Sequence, residues 1–508
     1  MDRGGSEITA KRAQPSTGGE DHLSALHDDA LLLILLRLDS TPAAAHTSVL
    51  SRRWRRVWAL LPDIRFHLAP GADGHCIRQV LEAPEAPELN RIHVTNEGAG
   101  FGSAAAWLPA AVRRLSGVLV YHNNVVDPAD EDQLGDSIQL PCFEDAAKIE
   151  LNLGFLRLAL PPRGIFFGLT NLSLVRVRFD SPRNLGRVVS WPRCPCLREL
   201  SVHDCWGMQD LSFFSNSLQQ MELKQVHGLR RLTIFTPALL ILRVDFSFLD
   251  DDPSEPIADI VAPQLMYLVW RDVYDPGYVR LGKLEQLQRL STYHFFVYGH
   301  QYQRDMNDRC LRLLQQFQVL HTLDLTLVYA KDIGDSQYLM GDIAMLPQIK
   351  SLSLSIINEA HDFGASSFHL LRMCTGLKFL FLTVFTDINL ESTCPSGCIC
   401  DQATSCKTED LVLNHLEDVV VGNLQGAEYE VTFVKQLFKW ATVLKRMCIT
   451  FTSKISESKV KWFRQAIAGS SRPKTRVESF IYHGARKRSM YLLEPAGQGN
   501  RVVTQELC

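Results

Sequence analysis

Apolar positions recur along most of the chain in one short pattern: a leucine, two residues of any kind, an apolar residue, one more residue and a second apolar one. Copies read LNRIHV, LSGVLV, LTNLSL, LRELSV, LQQMEL, LRRLTI, LLILRV, LMYLVW, LHTLDL, IKSLSL, LKFLFL, LEDVVV and LKRMCI, starting at residues 89, 115, 169, 197, 218, 229, 239, 265, 320, 349, 377, 416 and 444. A weaker copy, LQRLST at 287, divides the long gap after 265. Residues two apart on an extended chain share a face. Each copy therefore predicts one short strand with its leucines inward, then a turn and a variable return segment, helical in places such as SAAAWLPAAVRRL. One such unit cannot bury its apolar face, whereas stacked copies can, which predicts a curved solenoid with a parallel sheet along its inner side.

Most gaps between copies lie between about 20 and 33 residues, bracketing the leucine-rich-repeat period. An ordinary doubly wound sheet would need longer helices between strands, and the gaps of 11 and 10 residues between 218, 229 and 239 are too short for them. The expected class is α/β: a small three-helix unit, an irregular leucine-rich-repeat solenoid with a parallel sheet, and a C-terminal α/β cap. Such a shape offers a broad recognition surface rather than a closed reactive pocket.

Ahead of the repeats the periodicity is helical. Asp28 and Asp29 open an apolar helix, ALLLILL from Ala30 to Leu36, where carboxylates suit a helix start. Its leucines and isoleucine run all the way round, so it cannot stand alone on a surface. Thr41 followed by Pro42 reads as an N-cap and first-turn proline for AAAHTSVL. In SVLSRRWRRVWALLPD, a helix over 52–61 places Trp54, Val57, Trp58 and Leu61 on one face, with Ser51 as cap and Pro62 at its end. Arg52, Arg53, Arg55 and Arg56 lie off that stripe and read as a solvated flank, with a nuclear-import signal as the other reading. Three short helices in about forty residues are too few to bury these side chains among themselves, which implies an external partner surface.

Composition narrows the function classes. With 508 residues, 46% hydrophobic, 21% charged and a formal charge of −3, the chain has material for large cores but no basic excess, so nucleic acid is not an expected partner. The polar segment MDRGGSEITAKRAQPSTGGED has no apolar core of the secretory type and reads as a disordered leader. ALLLILL is far below the roughly 20 residues that span a bilayer, so no membrane segment is expected. Thirteen cysteines fit reduced thiols, most of them buried, in the cytoplasm and/or nucleus.

Several motifs carry candidate chemistry. GAGFG, Gly98 to Gly102, follows a strand pattern and precedes a helical one. Its spacing is not the dinucleotide fingerprint, and no acidic residue ends the next strand, VLVYHNN. STCPSGCICDQATSCKTED brings Cys394, Cys398, Cys400 and Cys406 within thirteen positions. The readings are a zinc site, which lacks the paired C-x2-C hairpins of structural zinc ribbons, a reversible thiol pair, or an unliganded loop. NLS at 171–173 is a glycosylation triplet inside a repeat strand and reads as unused. No nucleophile elbow, paired metal-ligand histidines or phosphate loop appears, so no catalytic residue and no cofactor is assigned.

The stretch DHLSALHDDALLLILLRLDSTPAAAHTSVLSRRWRRVWALLPDI resembles the F-box of plant proteins, in its Leu-x-Asp-Asp start, its Ile34, Leu35 and Leu38, and its TSVLSRRWRRVW string. The resemblance implies docking on the Skp-type adaptor of an SCF (cullin-RING) ubiquitin ligase. Leu26, Ile34, Leu35, Leu38, Val49, Leu50 and Trp54 would supply the apolar docking surface and its support. The family usually has proline where His27 stands and leucine where Ala30 stands; these departures bear on adaptor affinity, but neither buries an unpaired charge, and docking is expected to survive them. Residues of about 407–451 resemble the FBD region that follows the repeats in many plant F-box proteins. They read as strand, acidic turn, a helix with the stripe Val434, Leu437, Phe438 and Ala441, and the strand in LKRMCITF, capping the solenoid. A further helix, KVKWFRQAIA, precedes a basic tail.

The expected organisation is a leader (1–20), an F-box (21–62), a leucine-rich-repeat solenoid (63–405), an FBD-like cap (406–452) and a C-terminal helix and tail (453–508). The implied function is a substrate-recognition subunit, not an enzyme, with cullin and RING subunits reached through the adaptor and an unknown protein as substrate. The alternative is a non-degradative interaction scaffold with a weakened F-box. An enzyme using the cysteine loop would need a metal or a thiol of lowered pKa at Cys398. By analogy with a few plant relatives, a small hormone or inositol phosphate could sit between repeats and substrate, although no residue set demands one.

Overall fold

The computed structural model describes residues 26–83, 88–98, 100–125, 136–181, 184–248, 257–330, 333–358, 361–386, 398, 411–482, 487–493 and 502–506. A single ladder organises it. The strand Asp63–Leu68 pairs in parallel with Leu89–Asn96, and each later repeat strand adds to its predecessor as far as Arg476–Tyr482. Two antiparallel strands, Lys487–Leu493 and Val502–Glu506, complete an 18-stranded sheet. The fold is α/β, as the repeat pattern predicts.

The leucines set the register. Ile64 stands beside Ile92, Ile92 beside Leu119, and the column continues through Leu200, Met221 and Leu242 to Leu380, Val419, Met447 and Val477 without one polar member. All of these side chains are buried in one continuous core. A slip of one residue would turn the whole inward set to water, so the alternation fixes the pairing. Buried polar side chains close the ends of the strands, where backbone groups leave the ladder. Asn96 Nδ2 donates to Ser103 Oγ (3.2 Å) and to the Tyr121 hydroxyl (2.8 Å), and Asn123 Nδ2 donates to the Leu153 carbonyl (3.2 Å). Just beyond this buried asparagine Gly98 lies in the left-handed region at φ +74°, while Phe101 and Gly102 already belong to the helix Phe101–Ala105.

The return side changes character along the chain. In the middle coils it is a second parallel sheet of four strands: Asp210–Phe214, Arg231–Phe235, Ile257–Val261 and Val279–Leu281. LRRLTI at 229 supplies one of these, so it is not a coil of its own as the pattern suggests. The main-sheet positions Leu200, Met221 and Leu242 follow at 21-residue steps, each coil holding a strand on both sides. Toward the C-terminus the return segments are helices: Gln301–Leu314, Gly364–Met373, Glu428–Trp440 and Glu457–Ala468. The stripe of Val434, Leu437, Phe438 and Ala441 is buried, and Phe433 stacks on Phe368 at 4.8 Å between ring centroids.

Among the described residues, three parallel strands of the main sheet lie outside both the thirteen copies and the weaker one at 287. Leu61 to Phe66 fits the pattern ahead of the first copy, while Ala146 and Lys474 stand where a leucine would lead the strands Lys148–Asn152 and Arg476–Tyr482. Strands Asp418–Leu424 and Arg446–Phe451, within the segment expected to cap the repeats, extend the same parallel ladder. The leader lies outside the described residues. Among the described residues, no helix is long and apolar enough to cross a membrane. Four of the nine described cysteines are buried, fewer than expected, and none forms a disulfide.

Candidate functional site

The helical unit is built on α1 (Asp28–Leu35), α2 (Thr41–His46) and α3 (Arg52–Val57). On α1, Leu31 and Leu35 point inward, while Leu33 is 65% exposed and Ile34 39% exposed. Ser40, not Thr41, caps α2, its hydroxyl accepting from the Ala43 amide at 3.3 Å. Thr41 serves the sheet instead, since its Oγ1 accepts from the Arg65 amide at 2.8 Å and ties the unit to the first strand. Ser51 caps α3 by accepting from the Trp54 amide, but the helix stops at Val57 and tightens into a 3-10 turn, Trp58–Leu60. The stripe survives this change, with Trp54, Val57 and Leu61 buried and Trp58 half-buried.

The unit's own core comprises Leu31, Leu35, Ala44, Trp54, Val57 and Leu61, separate from the core of the solenoid. Arg52, Arg55 and Arg56 face water. Arg53 turns back, its Nε donating to Asp28 Oδ1 at 2.7 Å and its guanidinium to the Leu26 carbonyl, which clamps the start of α1 onto α3.

The seven residues singled out by the sequence divide into two groups. Leu35 (2% exposed) and Trp54 (7%) belong to the interior, and Leu26 and Leu38 are half-buried against it. Ile34, Val49 (82% exposed) and Leu50 (63%) face outward. Leu33 joins the outward group and was missed by the sequence reading; its signal was the apolar ring around α1, since at 100° per residue Leu33 lies opposite Leu31 and Leu35. Of the two departures from the F-box pattern, His27 is exposed and Ala30 half-buried.

A second surface is the solvent face of the sheet. Near the N-terminal end it carries Arg65, His67, Arg91, His93 and His122. In the middle it carries ion pairs, Arg243 to Glu222 at 3.9 Å and Arg289 to Asp324 at 2.7 Å, with Tyr267 between the two guanidinium groups. Ser351, Ser353 and Ser355 follow in register, and then the exposed Phe379, Phe381 and Phe385. Cys398 lies with its Sγ 3.7 Å from His361 Nδ1, whereas Cys394, Cys400 and Cys406 lie outside the described residues. Among the described residues, no three metal-ligating side chains converge.

No protein-family model matches the chain. It is 28% identical over 250 residues to an F-box/FBD/LRR-repeat protein of Arabidopsis thaliana, covering 44% of this chain and 53% of the relative. A putative F-box/FBD/LRR-repeat protein of the same plant is 24% identical over 459 residues, covering 84% of this chain and 89% of the relative. By similarity the chain groups with the plant F-box/FBD/LRR-repeat proteins. An F-box/LRR-repeat protein of Arabidopsis thaliana is 45% identical over a shorter stretch of 69 residues, 14% of each chain. With several F-box/FBD relatives the match spans only about half of the relative's length, 53% and 55% in two of them.

Proposed function

We propose that the chain is a substrate-recognition adaptor of an SCF-type ubiquitin ligase. The observation that carries this reading is the set of exposed apolar side chains, Leu33, Ile34, Val49 and Leu50, on a helical unit with its own core. Large apolar groups standing outside a small folded unit mark a protein interface. The unit docks on a Skp-type adaptor, and cullin and RING subunits follow through it. The solvent face of the sheet receives the target protein. Because Thr41 binds the backbone of the first strand, the docking unit and the sheet move together, so a target held on the sheet is presented to the ubiquitin-charged enzyme at high effective concentration. Bond chemistry belongs to other subunits, and the F-box-like segment does its work by position alone.

The test is proximity labelling in cells with the proteasome inhibited, comparing the wild-type chain with a Leu33→Glu, Val49→Glu, Leu50→Glu variant. Targets labelled by both chains should accumulate with ubiquitin chains only beside the wild type. Equal ubiquitination beside the variant would contradict the proposal and favour a non-degradative scaffold.

A further inference from the structure

The solvent face of the first three sheet strands, Asp63–Leu68, Leu89–Asn96 and Leu115–Asn123, gathers five basic or titratable side chains that the sequence scatters over 58 positions, from Arg65 to His122. The parallel register does this. Arg65 stands opposite His93 and His67 opposite Thr95, which in turn faces His122. The His93 ring lies edge-on to both neighbours, 6.4 Å from His67 and 5.8 Å from His122 between centroids. Three imidazoles and two guanidinium groups in such proximity repel each other once protonated.

The two arginines of the face are not neutralised from within. Among the described residues neither Arg65 nor Arg91 forms an ion pair. The charged groups that border the face are Asp63, in register opposite Arg91, and the pair Lys148 and Glu150 on the fourth strand. Glu150 is already engaged, by Lys148 at 3.0 Å and His122 at 3.1 Å. Burial holds His93 below the usual imidazole range, and His122, His67, Arg65 and Arg91 add to that effect. An anion laid across the face would reverse these effects, and His93 would take up a proton as it binds.

We propose that this face docks an acidic peptide segment of the target, gripped by Arg65 and Arg91 and held more tightly as His93, flanked by His67 and His122, becomes protonated. The inference rests on the sheet face being the target-receiving surface. It gives that surface a chemistry, namely carboxylate-rich sequence, and a dependence on pH in the range where histidine titrates.

The experiment uses the full chain and a fluorescein-labelled peptide of eight glutamates, followed by fluorescence anisotropy at pH 7.5 and 6.0 in low salt. Glutamate stays ionised across this range. Linked uptake of about one proton gives roughly tenfold tighter binding per pH unit over the interval in which His93 titrates. Arg65→Gln with Arg91→Gln should abolish binding at both pH values. His93→Gln should keep binding at pH 7.5 and lose most of the gain at pH 6.0. A matching peptide of eight glutamines should not bind. Equal affinity at the two pH values, binding of the glutamine peptide, or unchanged binding by the double arginine variant would overturn the proposal. So would inorganic phosphate displacing the peptide at equal charge concentration, which would mark a small-anion site. Co-purification of each variant with the Skp-type adaptor is measured alongside. Retained adaptor with lost peptide binding bears on this inference, whereas an adaptor that never binds bears on the ligase reading.

Discussion

Val49 and Leu50 offer the most quantitative handle on the docking surface. They lie at the turn between α2 and α3, 82% and 63% exposed, and neither belongs to the core of the helical unit. Fully burying a valine or leucine is worth about 1.5–3 kcal/mol. Scaled by those exposures, a partner covering both side chains would gain roughly 3 kcal/mol from the pair. Val49→Ala with Leu50→Ala should forfeit most of this, weakening the complex with a Skp-type adaptor by about two orders of magnitude. Folding should not change, because solvent-facing substitutions usually move stability by less than about 0.5 kcal/mol. Isothermal titration of the full-length chain against purified adaptor measures the first effect, and a thermal melt of the same preparation measures the second. A variant that melts like wild type and binds within about threefold of it would refute the assignment of this turn to the interface.

Leu35→Ala probes the interior of the same unit: at 2% exposure it should cost about 2–5 kcal/mol and unfold a core of only six residues. Hydrogen exchange should then accelerate over residues 28–61 and leave the separately packed solenoid protected. Glu430 is buried at the start of Glu428–Trp440, where its carboxylate accepts from the amides of Gln425, Gly426 and Ala427, the shortest at 2.7 Å. Glu430→Ala strands these donors and should lower stability by about 1–3 kcal/mol, read as an earlier melt or faster proteolysis of the C-terminal repeats. Asp272 has a pKa pushed up to about 7 by burial, against which the amides of Ser247 and Phe248 pull it down. Between the ordinary carboxyl value of 3.8 and about 7 the unfolded chain releases a proton that the folded chain holds. Stability therefore falls as pH rises through that window, and Asp272→Asn should flatten the slope in denaturant titrations at pH 4.5 and 7.

How much of this was legible in the sequence follows from where each signal lives. The inward column could be read because stacking demands the same apolar residue at the same place in every coil, and Ile92, Leu200, Leu352 and Val419 each repeat it. The copy at 229 misled because a strand on the return side obeys the same alternation as one in the main sheet. In α1 the type and extent of the helix were legible, but its orientation was not: with leucine or isoleucine on every side, periodicity cannot say that Leu35 faces inward and Leu33 outward. Ser40 and Thr41 are adjacent capping residues, and only the folded chain shows which hydroxyl serves the helix and which serves Arg65. His67, His93 and His122 lie on three different strands, and Cys398 lies 37 positions from His361. Contacts of that kind depend on register and coil length, which a single sequence does not display.

The central claim is that the helical unit exposes apolar side chains because another protein covers them. Size-exclusion chromatography with light scattering, on the wild-type chain mixed with a Skp-type adaptor, tests it most directly. One species of 1:1 stoichiometry is expected, with hydrogen exchange slowed around Leu33, Val49 and Leu50. Two separate monomeric peaks, with exchange in the helical unit unchanged, would contradict it.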